Sequence, residues 1–304
     1  MNTVLAKNNS AWKAAAGTDD SSFMCLFMFT FLRRFLLGWF GVLLIITGRP
    51  AELTLPPRPS DAPTGSRFVE RIETLSLADR EKEIIAEVLK GNVPNFWRRL
   101  AEVPVAFTNE TGLVKGTLYV TPEYLAVGST EDYFLAPISP GTAQTVADAL
   151  DCILPTRRMV DAIYAAAPIK LTPQPIPPSA AMTTVPVFLN HHKMVQRQRA
   201  SLLGKHPLGT LIAGHKKDVV LTVRLTNAPG KVAIYGWHQP NGKPIQPLYL
   251  GHTSSWVDYS HGARFVYRKM QMDGGETDVA QVLNDPKLAP LLSDEGPLSQ
   301  LRYR

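Results

Sequence analysis

The sequence predicts an α+β fold, helical in its first half, with an antiparallel β-meander of four to five strands in its C-terminal half. Three observations carry this. Capped apolar stripes of helical spacing occur at 76–90 and 139–166, and a period-two pattern follows Gly214. A content of 25 Pro and 21 Gly favours many turns and short elements. With 304 residues, 45% of them apolar, the chain is long enough to bury one or two cores.

Residues 1–50 read as a targeting segment. Arg33 and Arg34 precede an apolar run from Phe35 to Gly48. That run is shorter than the ~20 residues of a spanning helix and matches the hydrophobic region of a signal peptide. Met28 opens an ordinary signal peptide, so the expected mature chain begins between roughly Gly48 and Ser60 and is exported, periplasmic or extracellular. An uncleaved signal would anchor it, making this segment the one contact with a membrane. Residues 51–66 form a proline-rich spacer, 67–167 a mainly helical part with one hairpin, 168–181 a proline-rich linker, and 182–304 a basic, histidine-rich α+β part.

In the helical part, Ser76 caps a helix to Lys90 with Asp79 three residues on. Ile84, Ile85, Val88 and Leu89 give it one apolar face, and Gly91 ends it. Residues 95–100 add a short helical turn with Trp97 in the core. Residues 113–128 read as a hairpin turning at Thr121-Pro122-Glu123. Ser139-Pro140 starts the next helix and Pro155 another, and the closeness of the two predicts a helical hairpin. Asn190 caps a further helix.

In the second half, Val219, Leu221, Val223 and Leu225 alternate with polar neighbours as a half-buried strand. Residues 232–237 are apolar on both faces, as in a central strand. Asn241-Gly242 is a hairpin turn into 245–250. Residues 256–259 and 263–272 supply the remaining strands, and the tail from 277 to 293 carries two short helical pieces parted at Pro286.

The candidate chemistry lies in this half. All seven histidines fall between His191 and His261. The stretch from His191 to Met270 holds twelve Lys or Arg against two acids, so it is +10 and leaves −4 for the rest of the +6 chain. Two clusters stand out, Gly214-His215-Lys216-Lys217-Asp218 and Val257-Asp258-Tyr259-Ser260-His261-Gly262. In a straight strand Asp258 and His261 point to opposite faces, so Asp258 orients His261 only if the chain bends there, which Gly262 permits. His261 is then a general base, with His215 and Lys217 stabilising developing negative charge and the Tyr259 phenol alongside. His215, His252, His261 and Asp258 would suffice for zinc, although no HExxH or paired CxxC spacing accompanies them. Zinc is the one cofactor these residue types suit; no phosphate-binding loop or dinucleotide fingerprint occurs, so no nucleotide cofactor is expected.

Cys152 is the one thiol beyond the targeting segment, which excludes an intrachain disulfide in the mature chain. It stands just before a helix, the place of a helix-activated thiol. A cysteine before a helix, with VAIYGWHQPNGKPI on a later sheet, resembles the order in papain-like folds such as the NlpC/P60 cell-wall peptidases. The chain departs from that pattern at two places: Lys231 precedes this stretch where the family has His, and no serine follows Cys152. Membership is not assigned.

Export, the basic segment and the His-Asp clusters together predict a cell-envelope hydrolase acting on peptidoglycan or another anionic polymer. The alternative is a non-catalytic binding or assembly module, with Tyr235, Trp237, Tyr249, Trp256 and Tyr259 as its sugar-facing aromatics. Nucleic acid is disfavoured, because export removes the opportunity to meet it.

Overall fold

The computed structural model describes residues 52–110 and 112–303. The targeting segment with its Met28 start, and Cys25, lie outside the described residues. The described residues form one compact unit. Among the described residues no helix is long and apolar enough to cross a membrane. The fold is α+β, with most helices in the first half and the four-stranded sheet in the second.

Helix α1 (Gly65–Ile72) buries Phe68, Val69 and Ile72. In α2 (Leu77–Leu89) the Ser76 hydroxyl accepts from Asp79 N at 3.2 Å, closing the expected cap. Its inner face holds Ile84 and Val88, while Ile85 is half-buried and Leu89 is 38% exposed. Asn95–Arg98 is a 3-10 turn with Trp97 fully buried.

Strands β1 (Ala101–Asn109) and β2 (Gly112–Val120) pair along their whole length, Ala101 with Val120. The hairpin therefore turns near Asn109, not at Thr121-Pro122-Glu123. Val103 and Val105 face inward and Glu102, Pro104 and Ala106 outward, an alternation that Pro104, a residue rare inside strands, masks in the sequence. Strands β3 (Ala126–Gly128) and β4 (Tyr133–Leu135) form a second small ladder.

Helix α3 (Pro140–Ala149) starts at Ser139 as expected, and α4 (Arg157–Ala166) is capped by Thr156. The two do not form a helical hairpin. Strand β5 (Cys152–Ile153) intervenes, α3 packs on α2, and α4 packs on strands of both sheets. Strand β6 (Ile169–Lys170) leads into the proline-rich segment. Helix α5 (Val185–Ala200) begins before Asn190, because Pro186 fits the first turn and Val185 and Phe188 are drawn into the core.

Strand β7 (Ile212–Ala213) runs parallel to β6. The expected strand over 219–226 is shorter and earlier, as β8 (Lys217–Val219). Its continuation is a 3-10 turn from Val223 to Asn227, started by Thr222 accepting from Arg224 N. β9 (Ile234–His238) is wholly buried between β8 and β10 (Pro244–Tyr249), and the chain turns at Asn241-Gly242. Residues 256–259 are a loop, and β11 (His261–Gly262) then lies parallel to β8. The sheet order is β10-β9-β8-β11, so the meander ends with one parallel edge.

The rest of the 263–272 stretch joins the other sheet. There β12 (Val266–Tyr267) pairs with β2 and β5, while β13 (Lys269–Met272) pairs with β2 and with β14 (Gly275–Asp278). Helix α6 (Val279–Asn284) and a 3-10 turn at Ala289–Leu291 close the chain around Pro286. The first sheet thus takes strands from both halves of the sequence, and the proline-rich segment 168–181 connects parts of one unit.

Trp97 ties the core to the segment between β2 and β3. Its indole N–H donates to the carbonyls of Glu123 and Tyr124, both at 3.1 Å. Trp97→Ala should lose about 3–5 kcal/mol in urea unfolding through the cavity it leaves. Trp97→Phe should lose about 1–3 kcal/mol through carbonyls left without a donor. A Trp97→Phe loss under about 0.5 kcal/mol would show that this tie is idle.

Candidate functional site

The segment between β2 and β3 meets β8 and β11 at a buried polar cluster. Glu123 Oε1 lies 2.9 Å from His215 Nε2, and the Tyr124 hydroxyl donates to Asp218 Oδ2 at 2.8 Å. Arg264 donates to the carbonyls of Thr121 at 2.7 Å and Ile212 at 2.6 Å, with its guanidinium 4.4 Å over the Tyr124 ring. Every one of these side chains is buried.

Burial pushes the Glu123 carboxyl upward, but His215, Arg264 and the N–H of Tyr124 together outweigh it and hold the group below its usual range. Asp218 goes the other way. Burial raises it to about 6, against the pull of Arg264 and the Tyr124 hydrogen bond. Lys216, 1% exposed, donates to the carbonyl of Tyr259, and burial lowers its amine to about 7.

The second cluster is set by a turn. His261 N donates to Asp258 O at 3.1 Å, which sets the two side chains on one side of the chain. His261 Nε2 stands 3.7 Å from Asp258 Oδ2, an ion-pair distance without a hydrogen bond. Asp258 instead accepts from Ser260 N, Ser260 Oγ and Trp256 Nε1. Burial raises the Asp258 carboxyl, yet the His261 imidazole, the Lys217 ammonium and the Ser260 hydrogen bonds bring it down to about 2. His261 is 0% exposed, and burial lowers it to about 4, so it is neutral at neutral pH. Lys217 is half-buried with its ammonium 5.1 Å over the Trp237 ring, and the loss of solvent lowers its pKa.

The remaining candidates disperse. Cys152 is buried in β5, its thiol donating to Leu150 O at 3.3 Å. Burial pushes that thiol far above its ordinary pKa, and a protonated thiol is not a nucleophile. Tyr259 is buried, its hydroxyl accepting from Ile176 N at 2.7 Å and donating to Ile176 O at 3.1 Å. His252 stacks on Trp256, with ring centroids 5.0 Å apart. Among the described residues no group of three or more His, Cys, Asp or Glu is arranged to hold a metal ion. The aromatic set divides: Tyr235, Trp237 and Tyr259 are interior, whereas Trp256 is half-buried and Tyr249 is 44% exposed. The basic segment divides too, since Lys216, Arg199 and Arg264 are buried.

Sequence reasoning missed Glu123, Tyr124 and Arg264, along with His191, whose ring packs 5.0 Å from that of Tyr259. One signal was present: a carboxylate set directly against the apolar run Leu125–Val127 has to find a buried partner.

Two surface clefts flank the 254–257 loop. One, of about 530 Å³, is lined by Lys231, Ser254, Gln300 and Tyr303, and the other, of about 380 Å³, by Arg80, Thr183 and Trp256. Leu77 and Ser255 belong to both. Glu81 faces the first cleft but is committed, accepting from Ser139 N, Ser139 Oγ and Thr142 Oγ1.

No protein-family model matches the chain, and neither a curated protein nor a solved structure matches it. Fold and site define an α+β protein with an enclosed cluster of ionisable groups and a divided surface cleft.

The neutral burial of His192 and His261, each lowered to about 4, makes stability depend on pH. The unfolded chain takes up these protons near pH 6.5 and the folded one near 4, so this stability is full above 6.5 and lost as pH falls toward 4. Each histidine should give a slope of about 1.4 kcal/mol per pH unit within that window. Urea titrations at stepped pH should show it, and His261→Asn should reduce the slope relative to the parent. An unchanged slope would place the proton uptake elsewhere.

Proposed function

We propose that this protein is a non-catalytic binding or assembly module of the cell envelope that holds a polysaccharide or peptidoglycan strand along its two clefts. The observation that carries the reading is the pair of clefts sharing Leu77 and Ser255, with the Trp256–His252 stack beside them. Their walls mix hydroxyl, amide and ammonium groups with flat apolar surface. A sugar chain needs that mixture, since its hydroxyls take hydrogen bonds and its ring faces take aromatic contact. Lys231 supplies a cation for a carboxylate on the strand. The histidine and carboxylate groups, in contrast, are closed off from any polymer. The envelope location rests on Arg33, Arg34 and the apolar run after them.

A second reading, the hydrolase, is favoured by one observation: His215 Nε2 is held by a carboxylate while its Nδ1 is buried without a partner. That is the layout of a general base with its orienting acid, with His215 and Glu123 in the roles expected of His261 and Asp258. Polymer hydrolysis there requires the cluster to open.

Co-sedimentation with purified sacculi separates the two. Binding should fall about tenfold or more in Ser255→Trp and Trp256→Ala, a loss of at least about 1.4 kcal/mol, with no soluble product by mass analysis. Equal binding by parent and variants contradicts the cleft. Released fragments that vanish in His215→Asn would establish the hydrolase.

A further inference from the structure

Arg80 carries a guanidinium that the fold has buried without a counter-ion. It is 6% exposed and makes no ion pair among the described residues. The one hydrogen bond of its side chain, from Nη1 to Thr183 O, is 3.5 Å long, and its Nε is buried with no partner. Loss of solvent lowers its pKa, and the Glu81 carboxylate is the one charge that opposes this. That carboxylate already accepts from Ser139 and Thr142. A buried charge is costly unless a partner meets it. The Phe188 ring, with its centroid 5.0 Å from Cζ, covers one face of the guanidinium. A face contact leaves the N–H groups, which point outward in the plane, for another partner.

Arg80 lines the cleft of about 380 Å³, together with Ser255 and Trp256. Thr183, Thr184 and Val185 line it too, and with them the start of α5. That helix runs for 16 residues from an open N-terminus. Thr184 holds the cap position, but its hydroxyl donates to Ala181 O at 2.7 Å and takes no bond from the helix. The first turn contains no acid. The two helices on the other cleft differ, since Ser76 and Ser139 cap α2 and α3. An uncapped helix start carries partial positive charge and free N–H groups, so it attracts an anion. Glu73, the one acid on the lining of the smaller cleft, is exposed and forms no ion pair.

We infer that the smaller cleft is a carboxylate-recognising subsite, in which Arg80 and the start of α5 take the acid group of one uronic-acid-type sugar ring. Ser255 lies beside the ring hydroxyls and Trp256 beside the ring itself. The inference rests on the reading of the clefts as a sugar-strand site, and it adds which strands are accepted. The planar fork of a guanidinium matches a planar carboxylate. One guanidinium and one helix start balance a single negative charge, so a carboxylate suits them better than a phosphate dianion. A neutral strand would cover Arg80 and leave it with neither water nor an anion, so the same residue that attracts an acidic strand works against a neutral one.

The test titrates the full chain by calorimetry with tetragalacturonate, and with the same tetramer after its carboxylates are reduced to alcohols. The acid form should bind at least about tenfold tighter, the worth of a hydrogen bond to a charged group. In Arg80→Gln that ratio should fall close to one. Where Arg80→Gln does not fold, Thr184→Asp decides. It supplies the missing helix cap and so is expected to fold, while its carboxylate in the cleft should erase the preference. Equal binding of both tetramers by the parent, or a preference that survives in the folded variants, overturns the carboxylate subsite and leaves the strand reading standing. Binding of neither tetramer overturns it as well, and co-sedimentation with sacculi then shows whether the strand reading falls with it.

Discussion

An ionised group inside a protein must find a partner, and that constraint organises this molecule. The run from His215 to Asp218 carries an imidazole, two amines and a carboxylate into a buried strand. His215 and Asp218 find their partners elsewhere in the sequence, with Glu123 and Tyr124 from the first half and Arg264 from beyond β11. Arg264 also donates to the carbonyls of Thr121 and Ile212, so one guanidinium binds three separate segments. The register of β8 between β9 and β11 is therefore fixed by charge as well as by its ladder. A slip of one residue would turn Asp218 away from Tyr124 and leave Glu123 without His215.

What the sequence disclosed depends on the range of the forces involved. Local signals read correctly: the Ser76 and Ser139 caps, the Asn241-Gly242 turn, the buried 232–237 strand and the break at Pro286 depend on neighbours in the chain. Long-range pairing did not read. β1 was hidden because Pro104 reads as a strand breaker, and β2 then lacked its true partner. The apolar period at 219–225 suggested a strand, yet Thr222 caps a 3-10 turn there and Val220 and Leu221 are buried on both sides. At the site, Asp258 and His261 were legible as neighbours because a four-residue turn joins them. Glu123 lies 92 positions from His215, and no pattern in one sequence links them.

The enclosed cluster and the open clefts differ in what can reach them. Burial at His215, Asp258 and His261 closes off that site from a polymer, whereas the clefts beside Ser255 present hydroxyl and aromatic groups to one. The fold separates them physically: the cluster lies where β8 and β11 cover the segment between β2 and β3, and the clefts lie along the starts of α2 and α3.

The dependence of the fold on partnered buried charge is most directly tested by a double-mutant cycle on Glu123 and His215, measured by urea unfolding. Removing one partner leaves the other buried and unpaired, so Glu123→Gln and His215→Leu should each cost about 3–5 kcal/mol. The double variant should cost no more than either single, giving a coupling of about 3 kcal/mol or more. Additive losses would contradict the account, because they would mean that each side chain is held by its own surroundings and not by the other.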